Sequence, residues 1–383
     1  MDKPTVQDIF HRFYPAYLDQ YSPSPVQAKV AHNIMNCKTG AYGANVCVCE
    51  DCGFVQIHYN SCRNRCCPMC QAVPKEMWMD ARREDVLDAP YFHLVFTVPD
   101  ILNPVIYSNQ RLLYDALYHA ASSTISELTA DPKHLGAKVG YICILHTWGS
   151  EMNFHPHIHT ILLGGGLASN NQWKDNGENF FLPIRVISKV FRGKYLEELK
   201  RLWEEDKLVF HGIAEKFCNH YTFKELLDSC YGMDWIPHCK KTFNGAQTVI
   251  KYLGKYTHRI AVSNHRIVRM DDDTVTFLVK DYRNEGQWKE LTISGVEFVR
   301  RFLMHVPPRR FVRIRHYGLL CSRTKNQKLT LCRNLLGCKK YLSKLRDMEM
   351  PEILEHLYGI KVCVCKACGG HLGKPQMRMP LRC

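Results

Sequence analysis

Two spacings of apolar residues divide the chain into helical and extended stretches. Apolar residues three to four positions apart favour helices, whereas continuous apolar, aromatic and β-branched runs favour buried strands. Residues 1–35 have helical spacing that is interrupted by a proline-containing turn at 22–25, which predicts two short helices. The other predicted helices lie at 104–130, 185–230 and 244–259, and the predicted strands lie at 91–99, 141–148, 154–166 and, as hairpins, within 260–300.

The order of these elements indicates the fold class. A strand, a helix and two strands are followed by helices, without the alternation that builds a parallel sheet. The chain is therefore expected to be an α+β protein with an antiparallel sheet and helices on one face. We expect three regions, which are a helical and zinc-binding domain (1–85), a catalytic domain (86–300) and a basic carboxyl-terminal region with a candidate zinc knuckle (301–383).

The run FHPHIHTILLGGG at residues 154–166 is expected to be a short buried strand that stops at its three glycines. Side chains two residues apart on a strand point to the same face, so His157 and His159 share a face and Ile158 points away. Imidazole is a common metal ligand. The pair therefore predicts half of a metal site, although a histidine-rich strand can also simply pack or be solvated.

The third ligand of this site stays open at the sequence level. His155 lies on the same face if the strand is regular through the intervening proline, which is not assured. Glu151 and Gln247 are the other candidates.

Cysteine is unusually frequent, with 19 residues in the chain. Cys49-x-x-Cys52 and Cys67-x-x-Cys70 are separated by 14 residues, a spacing typical of a structural zinc site with four thiolate ligands. The alternative is a set of buried free thiols. A second site could use the remaining Cys37, Cys62 and Cys66, and a tail knuckle at Cys365-x-x-Cys368 could be completed by His371, Cys383, Cys332 or Cys338.

The net charge of +14 predicts a polyanionic partner. Arginines occur beside the cysteines and again, mixed with aromatic residues, in the segment at 300–317. Guanidinium groups among aromatic rings suit single-stranded nucleic acid, which offers phosphates to pair and bases to stack, although a charged cluster can also be a solvated surface. The candidate DNA-binding residues are Arg63, Arg65, Arg309, Arg310, Arg313 and Arg315.

Several other classes of protein are not favoured. The sequence has no run of about 18 apolar residues, so no transmembrane helix is expected. The first residues lack the features of a signal peptide, so a reducing cytoplasm is expected. No glycine-rich phosphate loop supports a nucleotide cofactor. The oligomeric state is not indicated.

Tyr252 and Tyr256 lie four residues apart and therefore on one face of the helix predicted at 244–259. A tyrosine hydroxyl can attack a DNA phosphodiester to form a covalent phosphotyrosine, and a nearby divalent ion would polarise the scissile phosphate. The alternative is that both are core residues of an amphipathic helix.

Three segments carry a resemblance to a known family: HTWGSEMNFHPHIHTILLGGGL, YLGKYTHRIAVSN and FVRRFLMHVPPRRFVRIRHYGLL. They resemble two-tyrosine, HUH-type rolling-circle transposases of the insertion sequence ninety-one family. CEDCGFVQIHYNSCRNRCCPMCQ resembles the amino-terminal zinc-binding domain of that family, and YFHLVFTVPD its first catalytic strand. The likeness extends from about residue 10 to 320. It departs from the family pattern at Cys66, where histidine is usual.

The resemblance implies a compact HUH nuclease with four or five antiparallel strands and helices on one side. His157 and His159 would bind magnesium or manganese, and Tyr252 and Tyr256 would be the nucleophiles. The substrate would be single-stranded DNA at element ends, cleaved to a 5′-phosphotyrosine and a free 3′ hydroxyl. A plasmid replication initiator or conjugative relaxase would share this chemistry, but the zinc module and basic segment favour the transposase. A catalytically inactive, zinc-dependent DNA-binding regulator is the remaining alternative.

Overall fold

The structure is a computed structural model that describes residues 3–176, 182–235, 238–243, 249, 254, 260–281 and 285–378. Its helices are α1 (Val6–Leu18), α2 (Pro25–Met35), α3 (Ala72–Arg83), α4 (Asn103–Ser108), α5 (Gln110–Ala130), α6 (Ile184–Glu204), α7 (His220–Gly232), α8 (Gly295–Met304), α9 (Lys325–Leu336) and α10 (Met350–Tyr358). Its strands are β1 (Ala44–Val48), β2 (Val55–Tyr59), β3 (Tyr91–Thr97), β4 (Lys138–Trp148), β5 (Phe154–Leu167), β6 (Trp173–Asp175), β7 (His238–Phe243), β8 (Ile267–Met270), β9 (Thr274–Asp281), β10 (Gln287–Ser294), β11 (Ile314–Gly318) and β12 (Gln376–Arg378).

A six-stranded sheet forms the centre of the molecule. Five strands lie in the order β11-β4-β5-β3-β7, and β6 pairs with the far end of β5. Every pairing in this sheet is antiparallel. The predicted α+β class with an antiparallel sheet is therefore confirmed.

The two faces of this sheet are covered differently. The long helices α5 and α6 pack together on one face, over inward-pointing side chains such as Phe92 and Leu162. The opposite face carries a smaller cluster, in which Ile142 and Ile161 of the sheet meet Met79 of α3 and Leu329 of α9. The histidines of β5 share this second face, because they alternate with the residues that point to α5.

Strand β5 includes its three glycines and ends at Leu167, one residue beyond the predicted range of 154–166. The glycines are places where neighbours come close. A Cβ atom on Gly165 would lie 2.4 Å from the ring of Trp173, and one on Gly166 would lie 2.4 Å from the carbonyl oxygen of Lys138. Only glycine allows β4 and β6 to pair with β5 here.

A second core joins the amino-terminal helices to a distant part of the chain. Helices α1 and α2 are the two short helices predicted within residues 1–35, and they begin after capping boxes at Thr5 and Ser24. Phe10 of α1 meets Phe302 of α8 edge to face, with ring centroids 5.2 Å apart. The three-stranded sheet β10-β9-β8 closes this core with side chains such as Phe277.

His305 is buried at the end of α8. Its Nε2 lies 3.0 Å from the carbonyl oxygen of Met152, and its Nδ1 lies 3.2 Å from the hydroxyl of Thr147. Burial is the main cause that lowers the pKa of His305 to about 4, and the nearby charges of Arg300 and Arg301 lower it further. The ring is therefore neutral at pH 7 and donates from Nε2.

The segment after residue 300 is not a separate unit. Strand β11 is an edge strand of the central sheet, where it pairs with β4. Strand β12, close to the end of the chain, pairs with β1. The chain thus packs across the boundaries expected near residues 85 and 300. None of the helices in the described ranges is long and apolar enough to cross a bilayer.

Candidate metal centre and nucleic-acid surface

Three buried histidines converge on the face of the sheet opposite α5. His157 and His159 lie on β5, and His146 lies opposite His157 on β4. One ring nitrogen from each of the three lies within 4.8 Å of the others. The side chains are only 4% to 8% exposed. The structure therefore brings together the predicted pair and adds a third imidazole.

Sequence reasoning missed His146, although it lies inside the strand predicted at 141–148. Its spacing from Ile142 and Ile144 places it on the face that also carries the other two histidines. The antiparallel register of β4 on β5 would have revealed the pairing, but a register cannot be read from either strand alone.

Hydrogen bonds on the outer nitrogens orient two of the rings. His157 Nδ1 lies 2.6 Å from the carbonyl oxygen of His155 and must donate to it, so its Nε2 keeps a lone pair. His159 Nδ1 lies 2.8 Å from Nε2 of His93 on β3. The two inner Nε2 atoms, of His157 and His159, are 3.0 Å apart. Both rings therefore present Nε2 to the same point, which is the arrangement of metal-ligating histidines.

Burial keeps these imidazoles in the neutral form that binds metal ions. Loss of water is the main cause that lowers the pKa of His157 to about 3, and the neighbouring His155 lowers it further. Burial, followed by the charges of His146 and His157, also lowers the pKa of His159 well below its usual value. At pH 7 both rings are therefore neutral, which is the form that a metal-ligating imidazole requires.

His155, the first candidate for the third ligand, lies outside this group. Its Nδ1 is 3.2 Å from a carboxylate oxygen of Asp100, and its side chain is partly exposed. The strand places its ring beside His157, with centroids 5.2 Å apart, but the ring turns towards solvent and Asp100. The main chain of Glu151 accepts a hydrogen bond from Arg301, and Gln247 lies outside the described residues.

The tyrosines predicted to be nucleophiles, Tyr252 and Tyr256, also lie outside the described residues. Two residues of the same segment, Val249 and Gly254, are described and have helical backbone. Val249 is buried in the cluster that contains Ile142, on the face of the sheet that carries the histidines.

The four cysteines predicted to form one zinc site are divided between two clusters. Cys67 and Cys70 lie with Cys37 and Cys62, and all four sulfur atoms are within 4.8 Å of one another. The Sγ atoms of Cys62 and Cys70 are 3.8 Å apart. The prediction was wrong in its grouping because spacing along the chain cannot distinguish which knuckle faces which partner.

Cys49 and Cys52 belong to the second cluster, together with Cys365 and Cys368. The predicted tail knuckle is therefore completed by the first knuckle of the chain. His371, Cys332 and Cys338 are not part of this cluster, and Cys383 lies outside the described residues. Cys66 belongs to neither cluster; its thiol is buried, and burial raises its pKa.

The predicted arginines do not form one continuous surface. Arg315 pairs with Asp115 and lies over the ring of Tyr118, 4.0 Å from its centroid. Arg313 is close to Cys66, and the loss of water around its guanidinium group lowers its pKa. These two arginines contribute to packing within the protein.

The remaining predicted arginines are more accessible. Arg63, Arg309 and Arg310 are exposed. Arg65 donates hydrogen bonds to the carbonyl oxygens of Pro308 and Phe311. It thereby connects the segment of the first cysteine cluster to the loop before β11.

A groove of about 620 Å³ lies between α2, the first cysteine cluster and this loop. Val26, Val30 and Pro307 give it an apolar floor, while cationic side chains surround it and no acidic residue is among its described lining. Such a surface fits a strand of nucleic acid, with its bases on apolar side chains and its phosphates on cations. The cations are Lys29, Arg65, Arg309 and Arg310.

Known proteins resemble this chain along most of its length. Residues 9–98 match the family described as "Transposase zinc-binding domain", and residues 140–328 match the family described as "Putative transposase". The "Putative transposase y4qJ" of Sinorhizobium fredii (strain NBRC 101917 / NGR234) is 40% identical over 369 residues, which are 95% of this chain and 93% of that protein. The "Transposase for insertion sequence element IS801" of Pseudomonas savastanoi pv. phaseolicola is 30% identical over 309 residues, which are 79% of this chain and 72% of that protein.

Solved structures with some likeness are complexes of the conjugative relaxase TrwC with oriT DNA. A metal-free complex has a TM-score of 0.25 at 14% identity and covers 43% of this chain and 71% of the relaxase chain. A copper-bound complex has a TM-score of 0.26 at 12% identity and covers 67% and 96%, respectively. The sequence matches to the relatives and to both families show that the chain belongs to the insertion sequence ninety-one family of rolling-circle transposases with an amino-terminal zinc-binding domain.

Proposed function

We propose that this transposase cleaves and rejoins single-stranded DNA by tyrosine attack on a phosphodiester that is bound to a divalent ion at His146, His157 and His159. The observation that carries the proposal is the convergence of three buried imidazoles, two of which are neutral and have Nε2 aimed at one point. When bound, the ion polarises a phosphate oxygen and stabilises the negative charge of the transition state.

The donor set favours a particular kind of ion. Three imidazoles suit transition metals, whereas magnesium prefers oxygen ligands and keeps most of its water. We therefore propose manganese or another divalent transition metal as the ion. The histidines would hold it on paired strands, because His146 lies opposite His157, and His159 lies opposite Ile144, in the pairing of β4 with β5.

Tyr252 and Tyr256 are the proposed nucleophiles. The hydroxyl of one tyrosine loses its proton and attacks phosphorus, and the 3′ oxygen leaves with a proton as a free hydroxyl. The 5′-phosphotyrosine keeps the energy of the phosphodiester bond, so attack by a 3′ hydroxyl rejoins the strand without a nucleotide cofactor. The packing of Val249 in the cluster on the histidine-bearing face of the sheet supports this proposal.

The groove between α2 and the loop before β11 is the proposed path of the single DNA strand beyond the histidine metal centre. Lys29, Arg309 and Arg310 would pair with phosphates, while Val26 and Pro307 would contact bases or sugars. This arrangement assigns the exposed arginines to DNA and leaves Arg315 to packing.

The experiment that tests the proposal is covalent capture on a denaturing gel. The full chain is incubated with a labelled single-stranded oligonucleotide that carries one end of its element, in the presence of manganese. We expect a protein–DNA adduct that each single change, Tyr252→Phe or Tyr256→Phe, reduces and the double change abolishes. Tyr221→Phe is the matched control, because that ring is exposed on α7 and 80% accessible.

Two outcomes would overturn the proposal. An adduct that survives the double change would identify another nucleophile. Tight DNA binding without any adduct in the unchanged protein would favour the inactive DNA-binding regulator.

A further inference from the structure

The second cysteine cluster joins two segments that are far apart in the sequence. Cys49 Sγ lies 3.5 Å from Cys368 Sγ, and Cys52 Sγ lies 3.7 Å from Cys365 Sγ. In a tetrahedral site with zinc–sulfur bonds of about 2.3 Å, the sulfur atoms are about 3.8 Å apart. The four thiols thus already have nearly the spacing that one zinc ion requires.

The two halves of this cluster have the same local structure. Each is a Cys-x-x-Cys-Gly turn, and its glycine, Gly53 or Gly369, has a positive φ that favours glycine. The glycine amide donates to the carbonyl oxygen of the first cysteine at 3.0 Å in both turns. Backbone amides also point at sulfur, from Ala367 to Cys365 and from Gly370 to Cys368, each at 3.4 Å. Such donors stabilise thiolate ligands.

The main chain supports the same arrangement. Strand β1 pairs with β12, and isolated bridges join Cys49 to Leu372 and Val364 to His371. The amide of Gly373 donates to the carbonyl oxygen of Val48 at 2.9 Å. The two turns are therefore held face to face by a small sheet built from both ends of the chain.

This sheet has too few apolar contacts to be stable by packing alone. Its buried cluster contains only Cys47, Cys49, Cys365 and Leu372, and three of these four are cysteines. Apolar residues of the sheet, such as Val55 and Ile57, are about half exposed. Small modules of this kind usually depend on a metal ion or on disulfides. The sulfur atoms here form one group of four at non-bonded distances, which fits a metal ion.

We propose that Cys49, Cys52, Cys365 and Cys368 bind a structural zinc ion, distinct from an ion at Cys37, Cys62, Cys67 and Cys70. This ion attaches the carboxyl-terminal segment to the zinc-binding domain. Two of its ligands lie far outside residues 9–98, which match that domain family. Each thiol that binds loses its proton, so ion binding releases protons and is tighter at higher pH.

The test is a zinc count on purified full-length variants, made by elemental analysis under reducing conditions. We expect Cys49→Ser with Cys52→Ser to lose one zinc per chain, and Cys365→Ser with Cys368→Ser to lose one as well. The combined fourfold variant should lose one and not two, because all four thiols hold the same ion. Cys218→Ser with Cys321→Ser is the matched control, since both cysteines are exposed and outside the clusters, and it should lose none.

A second measurement leaves every cysteine in place. X-ray absorption at the zinc edge of the single variant His157→Ala, which removes a ligand of the histidine site, should show two ions per chain with four sulfur neighbours each. One zinc per chain, additive losses in the fourfold variant, or a disulfide between the two knuckles in the reduced protein would overturn the proposal.

Discussion

His93 allows a test of how the ring of His159 is oriented in the histidine centre. Its ring is buried on β3, only 6% exposed, with Nε2 at 2.8 Å from His159 Nδ1. For His159 to present a lone pair on Nε2, its Nδ1 must carry the proton and donate it to His93. Replacing His93 by phenylalanine keeps a planar ring but removes the acceptor, so the proton of His159 loses a buried partner.

The expected loss is large enough to measure. Removing an outer partner of a ligating histidine typically costs about 10- to 100-fold in metal affinity, which corresponds to about 1.4 to 2.7 kcal/mol. His93→Gln restores an acceptor oxygen near the same place and should regain most of this loss. We therefore expect manganese affinity in the order unchanged protein, His93→Gln, His93→Phe.

Manganese binding is measured by the decrease in the electron paramagnetic resonance signal of the free ion, and thermal unfolding is recorded without metal. A purely structural role of His93 would lower the unfolding temperature in both variants without separating their affinities. Equal affinity of His93→Phe and the unchanged protein would refute the orientation argument, and so would a glutamine variant as weak as the phenylalanine variant.

Three further predictions follow from the same structure. His146→Ala should lose manganese binding and the DNA adduct, whereas His155→Ala should keep both, as measured by calorimetry and by denaturing gel. Arg309→Ala with Arg310→Ala should reduce the salt dependence of single-stranded DNA binding. If each arginine pairs with one phosphate, the slope of log affinity against log salt concentration becomes shallower by about 1.4. Filter binding at several salt concentrations measures this slope. His305 has a folded pKa of about 4, below the usual 6.5, so its contribution to stability is complete above pH 6.5 and is lost as the pH falls towards 4. The loss is about 3 kcal/mol, and urea unfolding of His305→Gln, which keeps a donor near Nε2, should show a weaker pH dependence over this range.

The sequence predicted those features that depend on neighbouring residues. The two helices α1 and α2 and the placing of His157 and His159 on one face follow from local spacing, and the structure contains them. The predicted bounds of β5 agree with the structure to within one residue, but the close packing against Trp173 that requires glycine at 165 was not foreseen.

Features that depend on distant pairing were not predictable in the same way. The two Cys-x-x-Cys motifs of the amino-terminal region look alike in sequence. Only the folded chain shows that Cys49 lies in one cluster with Cys368, 319 residues away. His146 needed the register between β4 and β5. Arg315 looked like a phosphate ligand among the aromatic residues of its own segment, but in the structure it packs over the ring of Tyr118 on the distant helix α5.

The meeting of both chain ends also sets an order of events during synthesis. Cys52 leaves the ribosome 313 residues before Cys365, which faces it in the folded protein. At about 5 to 20 residues per second, the first knuckle waits roughly 15 to 60 s for its partner. A chain cut short by a frameshift or an early stop never supplies that partner, so it leaves the ribosome with an open cysteine pair and an unpaired β1 edge. The segment around Cys365 and Cys368 thereby distinguishes a chain that can complete this cluster from one that cannot.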